Sequence, residues 1–225
     1  MNDIKQLDLK GRRILHRPAI DQSRATPSIV LLHGYGADEH DLMGLAGYFG
    51  PNMDVFSIRG DRQTPFGGAS WFDIDMLADG SLKFNTDQAR ESTQGVLELL
   101  DEMQAQEIIN RHRLILGGFS QGATISNLVT IQDPTLVFGL LIMSGRLPEE
   151  VSTMIGDSTV FKRLPIFAGH GTLDNVIPIE YGRQIVSFWN PLANLEHHEY
   201  HMGHEISQAE LTHIQAWLSR ILAKS

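Results

Sequence analysis

Gly118-Phe119-Ser120-Gln121-Gly122 places a serine two positions from a glycine on either side. A short apolar run, residues 113–117, precedes it, and a segment of helical character begins at Gln121. A strand–turn–helix context holds such a serine in a sharp turn with Oγ presented outward, while the glycines let strand and helix approach without collision. A helix starting at Gln121 aims orphan N–H groups and the positive end of its dipole at charge developing beside Ser120. The chemistry open to this serine is nucleophilic attack on an acyl carbon.

A hydroxyl is a weak nucleophile, so it needs a general base, and the base needs an orienting acid. Two later loops offer them. His170-Gly171-Thr172-Leu173-Asp174 follows the apolar run 164–168, which puts Asp174 just past a strand's carboxyl end. Met202-Gly203-His204-Glu205 follows the run 195–200 and precedes the last amphipathic segment, so His204 lies on a loop able to swing over Ser120. A tetrahedral oxyanion also needs two donors fixed in advance. His33-Gly34-Tyr35-Gly36 ends the run 28–32, and the backbone N–H groups of Tyr35 and Gln121 are the natural pair. The loop lacks the G-x-x-x-x-G-K-[ST] pattern of a phosphate cradle.

Other chemistries are disfavoured. The chain has no cysteine, which excludes disulfides, thiolate nucleophiles and Cys-type zinc sites. His197, His198, His201 and His204 form a dense run. On an extended strand alternate residues share a face, which scatters these imidazoles, so no metal site is expected. The balance of 18 Lys+Arg against 27 Asp+Glu gives a net charge of −9. Such a surface repels phosphate backbones, and the basic clusters Lys10-Gly11-Arg12-Arg13 and Arg111-His112-Arg113 read as solvated charges flanking strands. No nucleic-acid partner is expected. Residues 1–6 lack the basic-then-apolar layout of a secretory signal, and no apolar run approaches the roughly 18 residues of a membrane span. The expectation is a cytoplasmic protein without integral membrane association.

The elements that must position these residues alternate along the chain. Apolar runs at 28–32, 53–58, 113–117, 137–143 and 164–168, and a more polar one at 195–200, read as strands; continuous apolar runs of this length suit strands buried on both faces. Between them the spacing predicts helices over 38–49, 86–106, 121–131, from Pro178 to before Pro191, and over 208–222. Asn85 or Thr86 can cap the second helix. Residues 7–16 read as an edge strand or hairpin. Strand–helix alternation implies a mainly parallel central sheet flanked by helices, in one α/β domain spanning 1–225, with the site in loops at the strands' carboxyl ends.

Five stretches in order carry a more specific resemblance. They are Leu32-His33-Gly34-Tyr35-Gly36-Ala37-Asp38, Ser70-Trp71-Phe72-Asp73, Gly117 to Ala123, His170 to Pro178 and Met202 to Glu205. The sequence resembles the phospholipase/carboxylesterase family of α/β-hydrolases, which contains bacterial carboxylesterases and acyl-protein thioesterases. The resemblance implies Ser120 as nucleophile, His204 as base and then acid, Asp174 as orienting carboxylate, and Tyr35 and Gln121 as oxyanion donors. It implies a pocket lined by Trp71, with Phe66 and Phe72 crowding its mouth. Tyr35 stands where thioesterase-type relatives usually carry a smaller aliphatic residue, and Glu39-His40 replaces a Gly-containing segment. The expected activity is hydrolysis of short to medium carboxylic esters, with lysophospholipase or thioesterase action as the alternative and a non-catalytic binding protein as a remote one. No cofactor is implied, the partner is a small-molecule ester, and a homodimer is left open. At this length no large cap domain is expected.

Overall fold

The computed structural model describes residues 3–223 except 24, 66, 77–81 and 111. Phe66 and Arg111 therefore lie outside the described residues. The chain opens with a hairpin, β1 (Lys5–Leu9) and β2 (Arg12–Arg17), followed by β3 (Ser28–Leu32), α1 (Glu39–Met43) and β4 (Asp54–Ile58). Two small hairpins come next, β5 (Arg62–Gln63) with β6 (Ala69–Ser70), and β7 (Ile74–Met76) with β8 (Leu82–Phe84). The second half alternates α2 (Thr86–Ala105), β9 (Leu114–Phe119), α3 (Gln121–Gln132), β10 (Gly139–Met143), β11 (Pro165–Gly171), α4 (Ile179–Trp189), β12 (Asn194–Tyr200) and α5 (Gln208–Leu222).

Eight strands form one sheet in the order β1-β2-β4-β3-β9-β10-β11-β12. The β1–β2 and β2–β4 pairs are antiparallel, and every pair from β4 to β12 is parallel. Parallel strands need crossovers, and the helices supply them on both faces. The period-two rule sorts the core. Val30 and Leu32 join a cluster with Val96, Leu99 and Leu100 of α2, whereas Ile29 and Leu31 join Ile214, Trp217 and Leu218 of α5.

Strand order reverses at β3, because β4 returns to one side of it and β9 enters on the other. The crevice beyond the carboxyl ends of β3 and β9 is thus the sheet's switch point, where such folds place ligands. The loops after β3 and β9 carry Tyr35 and Ser120.

Most elements fall where periodicity places them. Asn85 caps α2, its side chain accepting from the Gln88 N–H. The helix expected over 38–49 differs, splitting into α1 and a separate 3₁₀ turn, Ala46–Phe49. Gly44 and Gly47 fall within that run, and each costs a helix interior about 1 kcal/mol relative to Ala.

Candidate active site

The turn into α3 is built by close approach. A Cβ on Gly122 would stand 1.9 Å from the Leu32 carbonyl oxygen, and one on Gly118 2.3 Å from the Gly122 carbonyl carbon. Only glycines let α3 dock this tightly behind the sheet. Ser120 takes φ +55°, a region L-residues rarely adopt, and its N–H is held by the Met143 carbonyl at 2.9 Å. The residue is 8% exposed, so it lines the floor of a cleft rather than standing out in solvent.

His204 Nε2 lies 2.9 Å from Ser120 Oγ, and His204 Nδ1 lies 2.7 Å from Asp174 Oδ2. The carboxylate accepts the Nδ1 proton, which leaves Nε2 with a lone pair facing the hydroxyl. Asp174 has a fully buried side chain, and its other oxygen accepts the N–H groups of Val176 at 2.9 Å and Ile177 at 2.8 Å. Both Asp174 oxygens are thereby fixed. The Leu173 N–H donates to the Met202 carbonyl and the Thr172 N–H to Tyr200, which ties the Asp174 loop to the His204 loop. Phe119 packs on the His204 ring at 4.8 Å.

The N–H of Gln121, first residue of α3, has no intrahelical acceptor. Among the described residues no acceptor engages it or the Tyr35 N–H. Both residues line the cavity with Ser120. Their spacing is set by a buried chain of hydrogen bonds that residue types did not reveal. Gln121 Oε1 accepts the Trp71 main-chain N–H at 2.7 Å, and Gln121 Nε2 donates to the Phe72 carbonyl at 2.6 Å. The Trp71 indole N–H donates to the His33 carbonyl at 2.9 Å. His33 donates from Nδ1 to the Gly34 carbonyl at 2.7 Å and accepts the Gly60 N–H at Nε2, 2.9 Å. Burial lowers the His33 pKa, in keeping with a neutral ring doing both.

Trp71 therefore corrects an expectation. It is fully buried, absent from the cavity wall, and spends its polar atoms bracing the two loops. A tryptophan with an internal N–H partner is as consistent with the sequence as one in a pocket, and only packing separates them. Phe72 does line the cavity, and Tyr35, 46% exposed, stands at its edge. The cavity measures about 380 Å³, and its walls include Ile74, Phe84, Phe119 and Ile177, which residue types alone did not single out.

The histidine run disperses. His198 stacks between Phe167 and His213, with Nε2 on Glu196; His197 is half-buried beside Glu199; His201 is exposed. His170, buried with its pKa lowered by desolvation, bonds the Ile177 carbonyl at 2.7 Å and backs the Asp174 loop. Among the described residues, the group whose atoms gather closely enough for an ion is Asp38, Glu39 and His40. Burial alone would raise the Glu39 pKa, but hydrogen bonds from Arg59 at 2.8 Å and Arg13 at 3.1 Å hold it below its ordinary value. The basic clusters are spent internally too. Arg12 pairs with Asp61, and Arg113 donates to the carbonyls of Ala25 and Leu222.

A parallel sheet crossed by helices, with this side-chain array on its switch-point loops, defines an α/β-hydrolase. The chain belongs to the phospholipase/carboxylesterase family, whose pattern it matches over residues 19–222, and it is a hydrolase of the ester-cleaving class. It is similar to acyl-protein thioesterase 1 of Candida albicans, 31% identical over 90% of this chain and 95% of that one. The Mycosarcoma maydis protein of the same name is 32% identical over 76% of each chain. Among solved structures, esterase PE8 superposes with a TM-score of 0.79 at 26% identity, covering 92% of this chain and 97% of that one. The Bacillus cereus carboxylesterase shares the fold, with a TM-score of 0.79 at 22% identity over 94% and 95%. Among the described residues no helix is long and apolar enough to cross a membrane.

Proposed function

We propose that the chain is a serine hydrolase that cleaves carboxylic esters of short to medium acyl length through an acyl-enzyme on Ser120. The observation that carries this reading is the unbroken hydrogen-bonded line from Ser120 Oγ to His204 Nε2 at 2.9 Å and from His204 Nδ1 to Asp174 Oδ2 at 2.7 Å. His204 Nε2 takes the hydroxyl proton as Oγ forms a bond to the ester carbonyl carbon, and the carbonyl oxygen becomes an oxyanion. The N–H groups of Tyr35 and Gln121 receive that oxygen. Collapse of the tetrahedral adduct expels the alkoxide, which leaves with the proton from His204 Nε2. Water then repeats the sequence on the acyl-enzyme, giving the acid and free Ser120. Asp174 keeps Nδ1 protonated and stabilises the imidazolium throughout. The reading needs no cofactor. It is placed in the cytoplasm, as one domain, on the composition and the absence of cysteine.

A thioester is the second reading, favoured by the names of the relatives above. Thioester and oxygen ester pass through the same acyl-enzyme, so only leaving-group preference separates them. The test is labelling with a fluorophosphonate probe, which phosphonylates an activated serine. Wild type should label and Ser120→Ala should not, while both keep the same circular dichroism spectrum. Labelling retained in Ser120→Ala would assign the nucleophile elsewhere.

A further inference from the structure

The loop that carries the Tyr35 N–H is tied on both sides of that residue. The peptide unit joining Gly34 to Tyr35 holds this N–H, and its Gly34 carbonyl accepts from His33 Nδ1 at 2.7 Å. The next unit holds the Gly36 N–H, which donates to the Ala69 carbonyl of β6 at 2.8 Å. The Ala69 N–H in turn donates to the Ala37 carbonyl at 2.7 Å. Peptide units are planar, so two anchored units flanking one Cα leave Tyr35 little freedom in φ and ψ. The direction of its N–H is then set before substrate arrives, as oxyanion stabilisation requires.

The β5–β6 hairpin reaches this loop through Gly68, which takes φ +71°. A Cβ there would stand 2.0 Å from the Gly36 carbonyl oxygen and 2.7 Å from its carbon, well short of the 3.4 Å at which ordinary contact begins. Further along β6 the Ser70 carbonyl oxygen is packed as tightly, 2.5 Å from where a Cβ on Gly60 would lie. The hairpin is therefore seated at two points. Gly67 makes a natural contrast: its φ is +89°, yet a Cβ there meets no described atom within 4 Å. Both positions favour glycine by backbone angle, but only Gly68 does so by contact as well.

We propose that Gly68 is a positioning residue for ester hydrolysis: its close seat on Gly36 docks the β5–β6 hairpin as a strap that aims the Tyr35 N–H at the oxyanion. This rests on the ester-hydrolase reading above and names the segment that shapes its oxyanion hole.

Gly68→Ala and Gly67→Ala, compared on 4-nitrophenyl butyrate, test it. Both place an L-residue at positive φ and should lower stability alike. Active enzyme is counted in each preparation by fluorophosphonate titration, so losses of folded protein cancel. A misplacement of about 1 Å can cost on the order of 10²-fold, so Gly68→Ala should lose about tenfold to a hundredfold in kcat with KM within about twofold. Its affinity for a trifluoromethyl ketone, which mimics the oxyanion, should fall by a matching factor. Gly67→Ala should stay within about twofold of wild type in all three. Equal losses in both variants, or a wild-type kcat in Gly68→Ala, would overturn the strap while leaving the hydrolase reading intact. Amide hydrogen exchange on the wild-type protein tests the strap without any variant: Gly36 and Ala69 should be protected as strongly as neighbouring β3, and exchange at the rate of an open loop would overturn it. A wild-type protein that neither labels nor turns over the ester would overturn the hydrolase reading, and the strap's role with it.

Discussion

Trp71 and Asp174 both act through what they hold, and their hydrogen bonds say how each should fail. The Trp71 indole N–H grips the His33 carbonyl while Gln121 grips its main-chain N–H, so one residue links the loops bearing the two proposed oxyanion donors. Trp71→Phe keeps an aromatic ring but deletes the indole donor together with part of the ring volume. Removing an oxyanion donor outright costs about 10²–10³ in kcat, and displacing one should cost less. The expectation is a kcat lowered about tenfold with KM within twofold, and a matching loss of affinity for a trifluoromethyl ketone that mimics the oxyanion. Equal losses in KM and kcat would make Trp71 mere core. Asp174→Asn should be harsher. Asn can still accept at Oδ1 from Val176 and Ile177, but its amide N–H₂ then faces His204 Nδ1 and forces the proton onto Nε2. A ring with a protonated Nε2 cannot take the serine proton, so turnover should drop by about 10⁴ with the fold retained. Near-wild-type turnover would point to another acid. The juxtaposition of Ser120, Asp174 and His204 was legible because each sits in a Gly-containing loop that directly follows a strand, a position that singles it out among the many serines, aspartates and histidines of the chain. The roles of Trp71, His33 and the Gln121 side chain were not, because a buried indole or imidazole has the same letter whatever it braces.

At the scale of elements, α5 carries a group whose chemistry is costly. Ser207 caps this helix, its Oγ accepting the Glu210 N–H at 3.2 Å, in the S-x-x-E spacing of a capping box. The Glu210 carboxylate does not complete that box. It is fully buried, both oxygens lack a hydrogen-bond partner, and it lies so close to β11 that a Cβ on Gly169 would stand 2.1 Å from Oε1. Burial pushes its pKa up to about 8 from an ordinary 4.5. The unfolded chain releases this proton near 4.5, whereas the folded chain keeps it until about 8. The folded state thus binds more protons across that window, and stability falls as pH rises through it, then levels off above 8. Glu210→Gln removes the linkage. Chemical denaturation should show the variant gaining on wild type from about pH 4.5 to 8, on the order of a few kcal/mol at the upper end, with the two converging in acid. A constant difference across the range would refute it. α2 and α5 were visible in sequence because their apolar stripes run for several turns. β5 to β8 were not, since segments of two or three residues leave no periodicity to read.

For the whole molecule the consequence is a limit on acyl length. The segment between β4 and α2, with its two small hairpins, supplies the cavity wall with Ile74 and Phe84 from the second hairpin and Phe72 from the stretch joining the two. The cavity of about 380 Å³ sits near the low end of the ~300–1,000 Å³ common for ligand pockets. Each methylene moved from water onto such apolar walls contributes roughly 0.8 kcal/mol, about fourfold in kcat/KM when the gain is expressed in the transition state. The gain stops where the chain meets the half-exposed rim at Tyr35 and Val176 and passes into solvent. On 4-nitrophenyl esters from acetate to palmitate, kcat/KM should therefore climb steeply, peak at about C4 to C8, and flatten or fall beyond. A thioester series run in parallel separates the two leaving groups at each length. If both series kept rising to C16, the hairpins would have to open a longer groove, and a long-chain thioesterase or lysophospholipase would replace the short-chain esterase as the better reading.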